Sequence, residues 1–161
     1  DDDGKPLPPG SVGRLAVTGP TGCRYLEDER QRDYVQSGWN VTGDLFRVDE
    51  DGYFWFVSRA DDMIVSAGYN IAGLEVEWAL LAHPAVCECA VVGAPDAERG
   101  TVVKAYVVLQ PGSAADATLV RELQDFVKQR IAPYKYPRLI EFLEALPKTP
   151  TGKLQRKVLR G

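Results

Sequence analysis

Residues 147–154, PKTPTGKL, combine the residue types of an exposed turn with a lysine. The two prolines, two threonines and one glycine of this segment predict an extended, exposed loop that carries Lys153. An ammonium group on a long stem can contact anions, which is the chemistry that this loop could serve. The segment is not a nucleotide-binding P-loop, because no glycine stands five positions before Gly152 and Leu154 replaces the Ser or Thr that would meet magnesium. From composition alone, a solvated surface loop is the alternative.

Two other segments place charged side chains close to glycine. Asp44 follows Thr-Gly in residues 38–45, GWNVTGDL, and Arg59 and Asp61 lie within SRADD. Taken alone, the two aspartates are typical of polar turns, and Arg59 is typical of a surface salt bridge that contributes little to stability. Gly68, in GYNI, is typical of a turn glycine with positive φ.

Four segments, in this order, resemble signature motifs of the adenylate-forming superfamily, which comprises acyl-CoA synthetases, nonribosomal peptide adenylation domains and luciferases. The resemblance covers nearly the whole chain from Gly13, and its segments are residues 38–45, 58–77, 131–137 (IAPYKYP) and 147–154. It implies that the chain is the C-terminal part of an enzyme that activates a carboxylic acid with ATP. GYNI and the PYKYPR stretch resemble benzoate-type and medium-chain acyl-CoA ligases in particular.

The resemblance implies a catalytic role for Lys153. In adenylation a carboxylate attacks the α-phosphate of ATP, so two anions must approach each other, and a lysine ammonium can bridge both. Such a residue acts by electrostatic stabilisation rather than by proton transfer. The resemblance further implies that Asp44 binds the hydroxyls of the ATP ribose, which a carboxylate can do with its two oxygens, and that Arg59 lies near the same ribose.

The remaining implied roles concern movement and CoA. Asp61 corresponds to the hinge about which the C-terminal domain of the family rotates between an adenylating and a thioester-forming pose. Gly68 and Tyr69 correspond to the tunnel that receives the pantetheine arm of CoA. Val65 and Asn70 depart from a polar residue and an arginine that many relatives carry, so a phosphate contact attributed to that arginine is not transferred here.

The leading functional hypothesis is an acyl-CoA synthetase that uses ATP and CoA. The alternatives are an adenylation domain that loads a carrier protein and a non-catalytic binding module that kept the fold. The phosphate-binding loop and the acyl pocket of the family are not found in these residues, so we expect the chain alone to be inactive and the acid to be undetermined. Magnesium is expected with ATP, with its ligands outside this chain. The ending soon after Lys153 is typical of a stand-alone synthetase.

Composition excludes several other classes of protein. Of 161 residues, 45% are hydrophobic and 26% charged, as in ordinary globular proteins, and the net charge of -4 argues against general nucleic-acid binding. No apolar run is long enough to span a membrane. Three cysteines, an odd number, favour the reducing cytoplasm. Cys87 and Cys89, predicted to share one strand face, and the distant His83 make a poor metal site, so we expect buried packing for the thiols and a helix-capping role for the histidine.

The alternation of elements predicts an α+β fold in two parts. Residues 1–60 are predicted to be β-rich, and residues 61–161 to form a small central sheet flanked by helices. The resemblance implies that the first part is the end of a large N-terminal domain and that the second is a mobile C-terminal lid. Open strand edges in the first part are expected either to fold back on the C-terminal domain or to pair with another copy of the chain, and self-association is the preferred expectation. The missing N-terminal domain is a further expected partner. The sequence Asp51-Gly52 before YFWFV predicts a hairpin. The sequence Gly19-Pro20 predicts a turn.

Two helices and three strands are predicted in the second part. Residues 74–82 are expected to form a helix that packs through Leu74, Trp78 and Leu81, and residues 118–130 a helix capped by Thr118. The apolar stripe of the second helix is predicted to be Leu119, Leu123, Phe126 and Val127. All three tryptophans, Trp39, Trp55 and Trp78, are predicted to be core or packing residues. The predicted strands are residues 86–92, 102–109 and 139–142.

Overall fold

The computed structural model of the chain describes residues 1, 3–19, 27 and 29–160. The described chain forms two compact units, Asp1–Asp61 and Asp62–Gly161. Pro20 of the predicted Gly19-Pro20 turn lies outside the described residues, and so does Cys23. The mixture of several sheets with few helices confirms the predicted α+β class.

Unit 1 is an antiparallel sheet built around one long strand. Strand β3 pairs with β1, β2 and β4, and a short helix that the sequence analysis did not predict precedes β2. The elements are β1 (Val12–Val17), α1 (Arg30–Tyr34), β2 (Val35–Gln36), β3 (Trp39–Val48) and β4 (Phe54–Arg59).

The predicted hairpin joins β3 to β4. Gly52 has a φ of 86°, and the Asp49 N–H donates to the Tyr53 carbonyl at 3.1 Å. The Asp49 carboxylate accepts from the Tyr53 N–H at 2.9 Å and from the Trp55 indole N–H at 2.6 Å. Because this aspartate caps the turn, the strands can reverse direction within a few residues.

The tryptophan predictions for unit 1 are wrong. Trp39 and Trp55 are both about half exposed, and Phe54 and Phe56 on β4 are exposed as well. Phe46 of β3 lies edge-on to both of these phenylalanines, with centroid distances of 6.3 and 5.6 Å. Within this unit the aromatic residues therefore pack across the sheet surface rather than into an enclosed core.

Unit 2 contains a small hairpin, a three-stranded sheet and three helices. In the sheet, β8 lies between antiparallel β7 and parallel β9. The elements are β5 (Met63–Ser66), β6 (Tyr69–Ala72), α2 (Gly73–Leu81), β7 (Val86–Asp96), β8 (Gly100–Leu109), α3 (Ala117–Arg130), β9 (Leu139–Phe142) and α4 (Arg156–Arg160). Short 3-10 turns occupy Ala60–Asp62 and Pro133–Lys135. In the described part of the chain, no helix has the length and hydropathy needed to cross a bilayer.

Both faces of the three-stranded sheet are covered, which is why β7 and β8 are apolar at nearly every position. One face packs in a buried cluster with residues of α2 and α3, among them Val76, Leu80, Leu123 and Val127. The other face packs in a second cluster formed by Ala90, Val92, Tyr106, Leu146 and Leu159. The predicted strands and helices of this unit are confirmed, with ends that differ by up to a few residues.

Helix α2 buries a different face from the one predicted. Val76, Ala79 and Leu80 are buried, whereas Trp78 is 65% and Leu81 46% exposed. Because the helix is apolar on more than one side, helical spacing is compatible with either of two apolar faces, and only one of them packs on the sheet. The prediction of Trp78 as a core residue is therefore wrong.

The predicted N-cap of α3 and the predicted shared face of Cys87 and Cys89 are wrong as well. Asp116, not Thr118, caps α3, because its carboxylate accepts from the Thr118 and Leu119 N–H groups at 2.9 and 2.8 Å. Cys87 is exposed and Cys89 buried, because β7 bulges between Val86 and Glu88 and strict alternation is lost there.

Candidate functional site

The predicted lysine loop is a tight hairpin turn rather than an extended loop. The Gly152 N–H donates to the Thr149 carbonyl at 2.9 Å, the Thr149 N–H donates to the Lys153 carbonyl at 2.8 Å, and Gly152 has a φ of 82°. Pro150 follows Thr149 directly, where its fixed φ suits a turn, and Gly152 supplies the left-handed residue. Lys148 and Leu154 then pair as an antiparallel bridge.

The hairpin is anchored to the second face of the sheet. Leu146 and Leu159 are buried there and Leu154 packs against them, so apolar side chains precede and follow the turn. The Tyr106 hydroxyl donates to the Leu159 carbonyl at 2.9 Å, and the Gln155 N–H donates to the Pro147 carbonyl at 2.9 Å. Lys153 is exposed just after the turn, and its ammonium has no partner among the described residues.

Asp44, Arg59 and Asp61 form a second group in unit 1. Asp44 of β3 lies directly across the ladder from Arg59 of β4, with 3.7 Å between Oδ1 and Nη1. Arg59 Nε donates to Asp61 Oδ1 at 3.1 Å. A Cβ on Gly43, whose φ is 79°, would lie 3.4 Å from Arg59 Nη2, so a larger residue here would crowd the guanidinium. Arg59 thus bridges two of the predicted site residues.

A concave site adjoins this group. Its volume is about 370 Å³, and it is lined by Arg14, Asp33, Tyr34, Gln36, Val41, Thr42, Gly43 and Ala60. Two of these residues are the chain neighbours of Asp44 and Arg59. The lining combines apolar surface with hydroxyl, amide and charged groups, as is common in small-molecule sites. The residues from α1 and β2 were missed by the sequence analysis, since nothing in their local pattern marks them.

Gly68 and Tyr69 lie at the β5–β6 hairpin of unit 2. Ala67 and Gly68 form its two-residue turn with φ values of 48° and 83°, and no atom lies within 4 Å of a Cβ built on Gly68. Tyr69 is 55% exposed and stacks on Tyr134 at a centroid distance of 4.5 Å. Lys135 donates to both Glu75 oxygens, at 2.8 and 2.6 Å, beside this pair. The hairpin, α2 and the Pro133–Lys135 turn therefore meet around two exposed tyrosines.

A buried ionic group that no local sequence pattern marks is centred on Glu77 of α2. Both Glu77 oxygens lie 2.8 Å from Arg156 Nη2, and Oε1 also accepts from the Val91 N–H at 2.8 Å. Burial, together with the nearby Glu77 charge, raises the pKa of the Cys89 thiol to about 12. A thiol with so high a pKa is inert at neutral pH.

His83 has a structural role between the two long helices. Its Nδ1 accepts from the Ala85 N–H at 3.2 Å, its Nε2 lies 3.1 Å from Glu122 Oε1, and its ring is edge-on to Phe126. The side chain is 5% exposed. His83 thus links the end of α2 to α3, which replaces the simple helix-capping role predicted for it.

The predicted site residues thus fall into two separate sets. Asp44, Arg59 and Asp61 are together in unit 1. Lys153, Gly68 and Tyr69 belong to unit 2, where the lysine hairpin and the β5–β6 turn are distinct features of the surface. In the described part of the chain, no three His, Cys, Asp or Glu side chains are placed to hold a metal ion.

Comparison with known proteins shows what the chain is similar to. Residues 75–153 match the AMP-binding enzyme C-terminal domain. The chain is 51% identical over 164 residues to the uncharacterized acyl-CoA ligase YtcI of Bacillus subtilis (strain 168), covering 99% of this chain and 31% of that protein. It is 50% identical over 169 residues to the human mitochondrial acyl-coenzyme A synthetase ACSM4, covering 99% and 29%.

A solved structure agrees with this assignment. The anthranilate CoA ligase AuaEII in complex with anthranoyl-AMP superposes with a TM-score of 0.87 at 42% identity, covering 99% of this chain and 31% of that chain. The chain thus spans about three-tenths of the length of the relatives that it matches. On these grounds residues 75–153 belong to the C-terminal domain family of AMP-binding enzymes, and the chain as a whole is similar to acyl-CoA ligases.

Proposed function

We propose that the protein containing this chain is an AMP-forming acyl-CoA synthetase. A carboxylate attacks the α-phosphate of ATP and releases pyrophosphate, and the CoA thiolate then attacks the acyl-adenylate carbonyl and releases AMP. The observation that carries the proposal is the 51% identity to an acyl-CoA ligase over 99% of the chain, which includes the exposed lysine hairpin and the Asp44–Arg59 pair. The domain roles of residues 1–60 and 61–161 are part of the same proposal.

Lys153 is the residue to which we assign the adenylation step. Its ammonium would contact both the incoming carboxylate and the α-phosphate, and so offset the repulsion between them. At an effective dielectric constant near 20, a charge pair about 4 Å apart contributes roughly 4 kcal/mol. The tight hairpin supports this role, because it holds the backbone of the lysine while leaving the ammonium exposed.

Asp44 and Arg59 are assigned to the ribose of ATP. A separation of 3.7 Å is an ion-pair distance but too long for a hydrogen bond, so the carboxylate oxygens can accept from ribose hydroxyls while Arg59 keeps them oriented. The adjoining concave site of about 370 Å³ supports a ligand beside this pair. Asp61, which Arg59 contacts, is assigned as the hinge.

CoA is assigned to the β5–β6 hairpin. The open space around Gly68 and the exposed Tyr69 ring would accommodate a pantetheine arm. Magnesium would arrive with ATP, and the proposal assigns none of its ligands to this chain. A cytoplasmic location is proposed from the odd number of cysteines, three in all.

The test is acid-dependent ATP–pyrophosphate exchange by the full-length protein, followed by thioester formation with CoA. The acid panel should include benzoate-type and medium-chain acids, which the GYNI segment favours. Exchange and thioester formation with one class of acid would support the synthetase and name its substrate. Exchange without transfer to CoA would favour a carrier-loading adenylation domain. No exchange with any acid would favour a non-catalytic binding module.

A further inference from the structure

The position of Lys153 depends on how the segment after it is held. The ammonium of Lys153 has no partner in the described part of the chain, so the position of its backbone sets the region that the ammonium can reach. The hairpin leads directly into α4, which begins at Arg156. Any displacement of α4 would therefore be passed to the lysine over only three residues.

Helix α4 is tied to the rest of unit 2 by ion pairs at both ends. At its start, Arg156 Nη2 lies 2.8 Å from each oxygen of Glu77. At its end, Arg160 pairs with Asp62. The Glu77 side chain is 8% and the Arg156 side chain 24% exposed, so the first pair is largely withdrawn from water.

Glu77 also fixes its own position against the sheet. Its Oε1 accepts from the Val91 N–H of β7 at 2.8 Å, and its backbone carbonyl accepts from the Cys89 thiol at 3.5 Å. A Cβ on Gly73, in the first turn of the same helix, would lie only 3.1 Å from the Val91 carbonyl, so α2 packs directly on the strand. Arg156 is thus held by a carboxylate that two secondary structure elements orient.

Stability alone does not account for this arrangement. A buried ion pair loses much of its attraction to desolvation, and apolar residues of similar volume often stabilise a fold equally well. What a buried pair can add is one defined arrangement of the groups that it joins. Here those groups are the sheet and the start of the helix that follows the lysine hairpin.

We propose that Glu77 is a positioning residue for Lys153 and acts through Arg156. The proposal rests on the adenylating role of Lys153 proposed above. A displacement of about 1 Å at a reacting group can lower a rate by roughly a hundredfold, so loss of the pair would affect the adenylation step selectively. The thioester-forming step, which does not use Lys153, would keep its rate.

The test compares Glu77→Gln with Glu88→Gln in the full-length protein. Glu88 pairs with Lys148 on the first arm of the same hairpin at 2.6 Å, but both side chains are about two-fifths exposed, so this pair contributes little. We expect Glu77→Gln to lower kcat for adenylation by roughly ten- to a hundredfold, with KM for the acid and the thioester step from supplied acyl-adenylate little changed. Glu88→Gln should leave both half-reactions within about twofold of wild type.

A double variant, Glu77→Gln/Arg156→Gln, covers the case in which the single variant unfolds. It leaves no buried charge unpaired, so it should fold but still adenylate slowly. Return of adenylation along with stability would overturn the proposal, as would an equal loss of both half-reactions.

Amide hydrogen exchange gives a readout that does not depend on activity. The Thr149 N–H should exchange faster in the double variant, while the Val107 N–H in the core of β8 stays protected. Unchanged exchange at Thr149 would overturn the inference. Absence of acid-dependent pyrophosphate exchange in the wild type would instead contradict the proposed function. Amide hydrogen exchange at Thr149 would still decide whether the ion pair holds the hairpin.

Discussion

Thr149 forms hydrogen bonds with both the backbone N–H and the backbone carbonyl of Lys153. The Thr149 N–H donates to the Lys153 carbonyl at 2.8 Å, and the Lys153 N–H donates to Thr149 Oγ1 at 3.0 Å. The threonine hydroxyl also lies 2.9 Å from that of Thr151. Ordering the lysine backbone in advance lowers the entropy that would be lost on binding two anions.

Replacing Lys153 with alanine in the full-length protein should abolish most adenylation. Loss of one preorganised charge at a transition state typically lowers kcat by roughly a hundred- to a thousandfold. Acyl-adenylate supplied from outside should still be converted to thioester. The measurement is pyrophosphate exchange alongside single-turnover thioester formation.

Lys148→Ala is the matched control, because this lysine is exposed on the same hairpin but pairs with Glu88. It should leave adenylation nearly unchanged. Equal loss of both half-reactions in Lys153→Ala would contradict the role assigned to Lys153.

Alanine at Gly152 should destabilise the protein through backbone strain alone. Gly152 has a φ of 82° and no atom within 4 Å of a built Cβ, and Gly68 has a φ of 83° in an equally open position. A left-handed backbone costs an L-residue about 1–2 kcal/mol, so both substitutions should lower the free energy of unfolding by a similar amount. Denaturant unfolding measures this, and asparagine at either position should recover part of the loss.

The two glycines should differ in which half-reaction they affect. Gly152→Ala should slow adenylation because it distorts the lysine hairpin, whereas Gly68→Ala should slow thioester formation. If Gly152→Ala did not lower the free energy of unfolding, residue 152 would not have a left-handed backbone conformation.

The sequence predicts best where local chemistry decides the structure. The Asp51-Gly52 turn and the apolar strands β7 and β8 are confirmed, because turn conformation and burial on both faces leave a direct mark on residue type. The lysine loop was found from its prolines and glycine. Its hydrogen-bonded hairpin was not predicted, although Pro150 and Gly152 stand where such a turn requires them.

Longer-range relationships could not be predicted from one sequence. Glu77 and Arg156 are 79 residues apart, and neither has a local signal that distinguishes it from a surface charge. The bulge that separates the environments of Cys87 and Cys89 depends on pairing with β8. In the same way, the choice between the two apolar stripes of α2 is made by the sheet on which the helix packs.

The corrected face of α2 can be tested with two adjacent leucines. Leu80 is fully buried, whereas Leu81 is 46% exposed. Leu80→Ala in the 161-residue chain should lower the free energy of unfolding by about 2–5 kcal/mol, because it removes buried methyl groups and leaves a cavity. Leu81→Ala should change it by less than about 1 kcal/mol. Equal losses of unfolding free energy for the two variants in urea denaturation would support the buried face that was predicted from helical spacing.

The two cysteines of β7 should react very differently with alkylating agents. Cys87 is exposed, whereas burial raises the pKa of the Cys89 thiol to about 12. At pH 8 only roughly one Cys89 in ten thousand would be a thiolate, which is the reactive form. Iodoacetamide followed by peptide mass spectrometry should label Cys87 and spare Cys89 until the protein is unfolded. Rapid labelling of Cys89 in the native protein would mean that the Glu77 region opens readily.

The turn aspartate of the β3–β4 hairpin should make that hairpin sensitive to acid. The Trp55 indole N–H, followed by the Tyr53 backbone N–H, lowers the pKa of Asp49 from its ordinary value of 3.8. Because the folded-state pKa is the lower one, the stabilisation is present above about pH 3.8 and is lost as the pH falls through the folded-state pKa.

Trp55→Phe removes the largest cause of this shift, so it should raise the Asp49 titration midpoint towards 3.8, as measured by NMR of the side-chain carboxyl. Asp49→Asn should reduce the dependence of hairpin stability on pH in the same acidic range. Asp51→Asn is a suitable control, because Asp51 contributes only its backbone N–H to the turn and its side chain accepts no hydrogen bond from the described residues. An Asp49 midpoint that stays low in Trp55→Phe would show that the backbone N–H groups alone hold the carboxylate in its charged form.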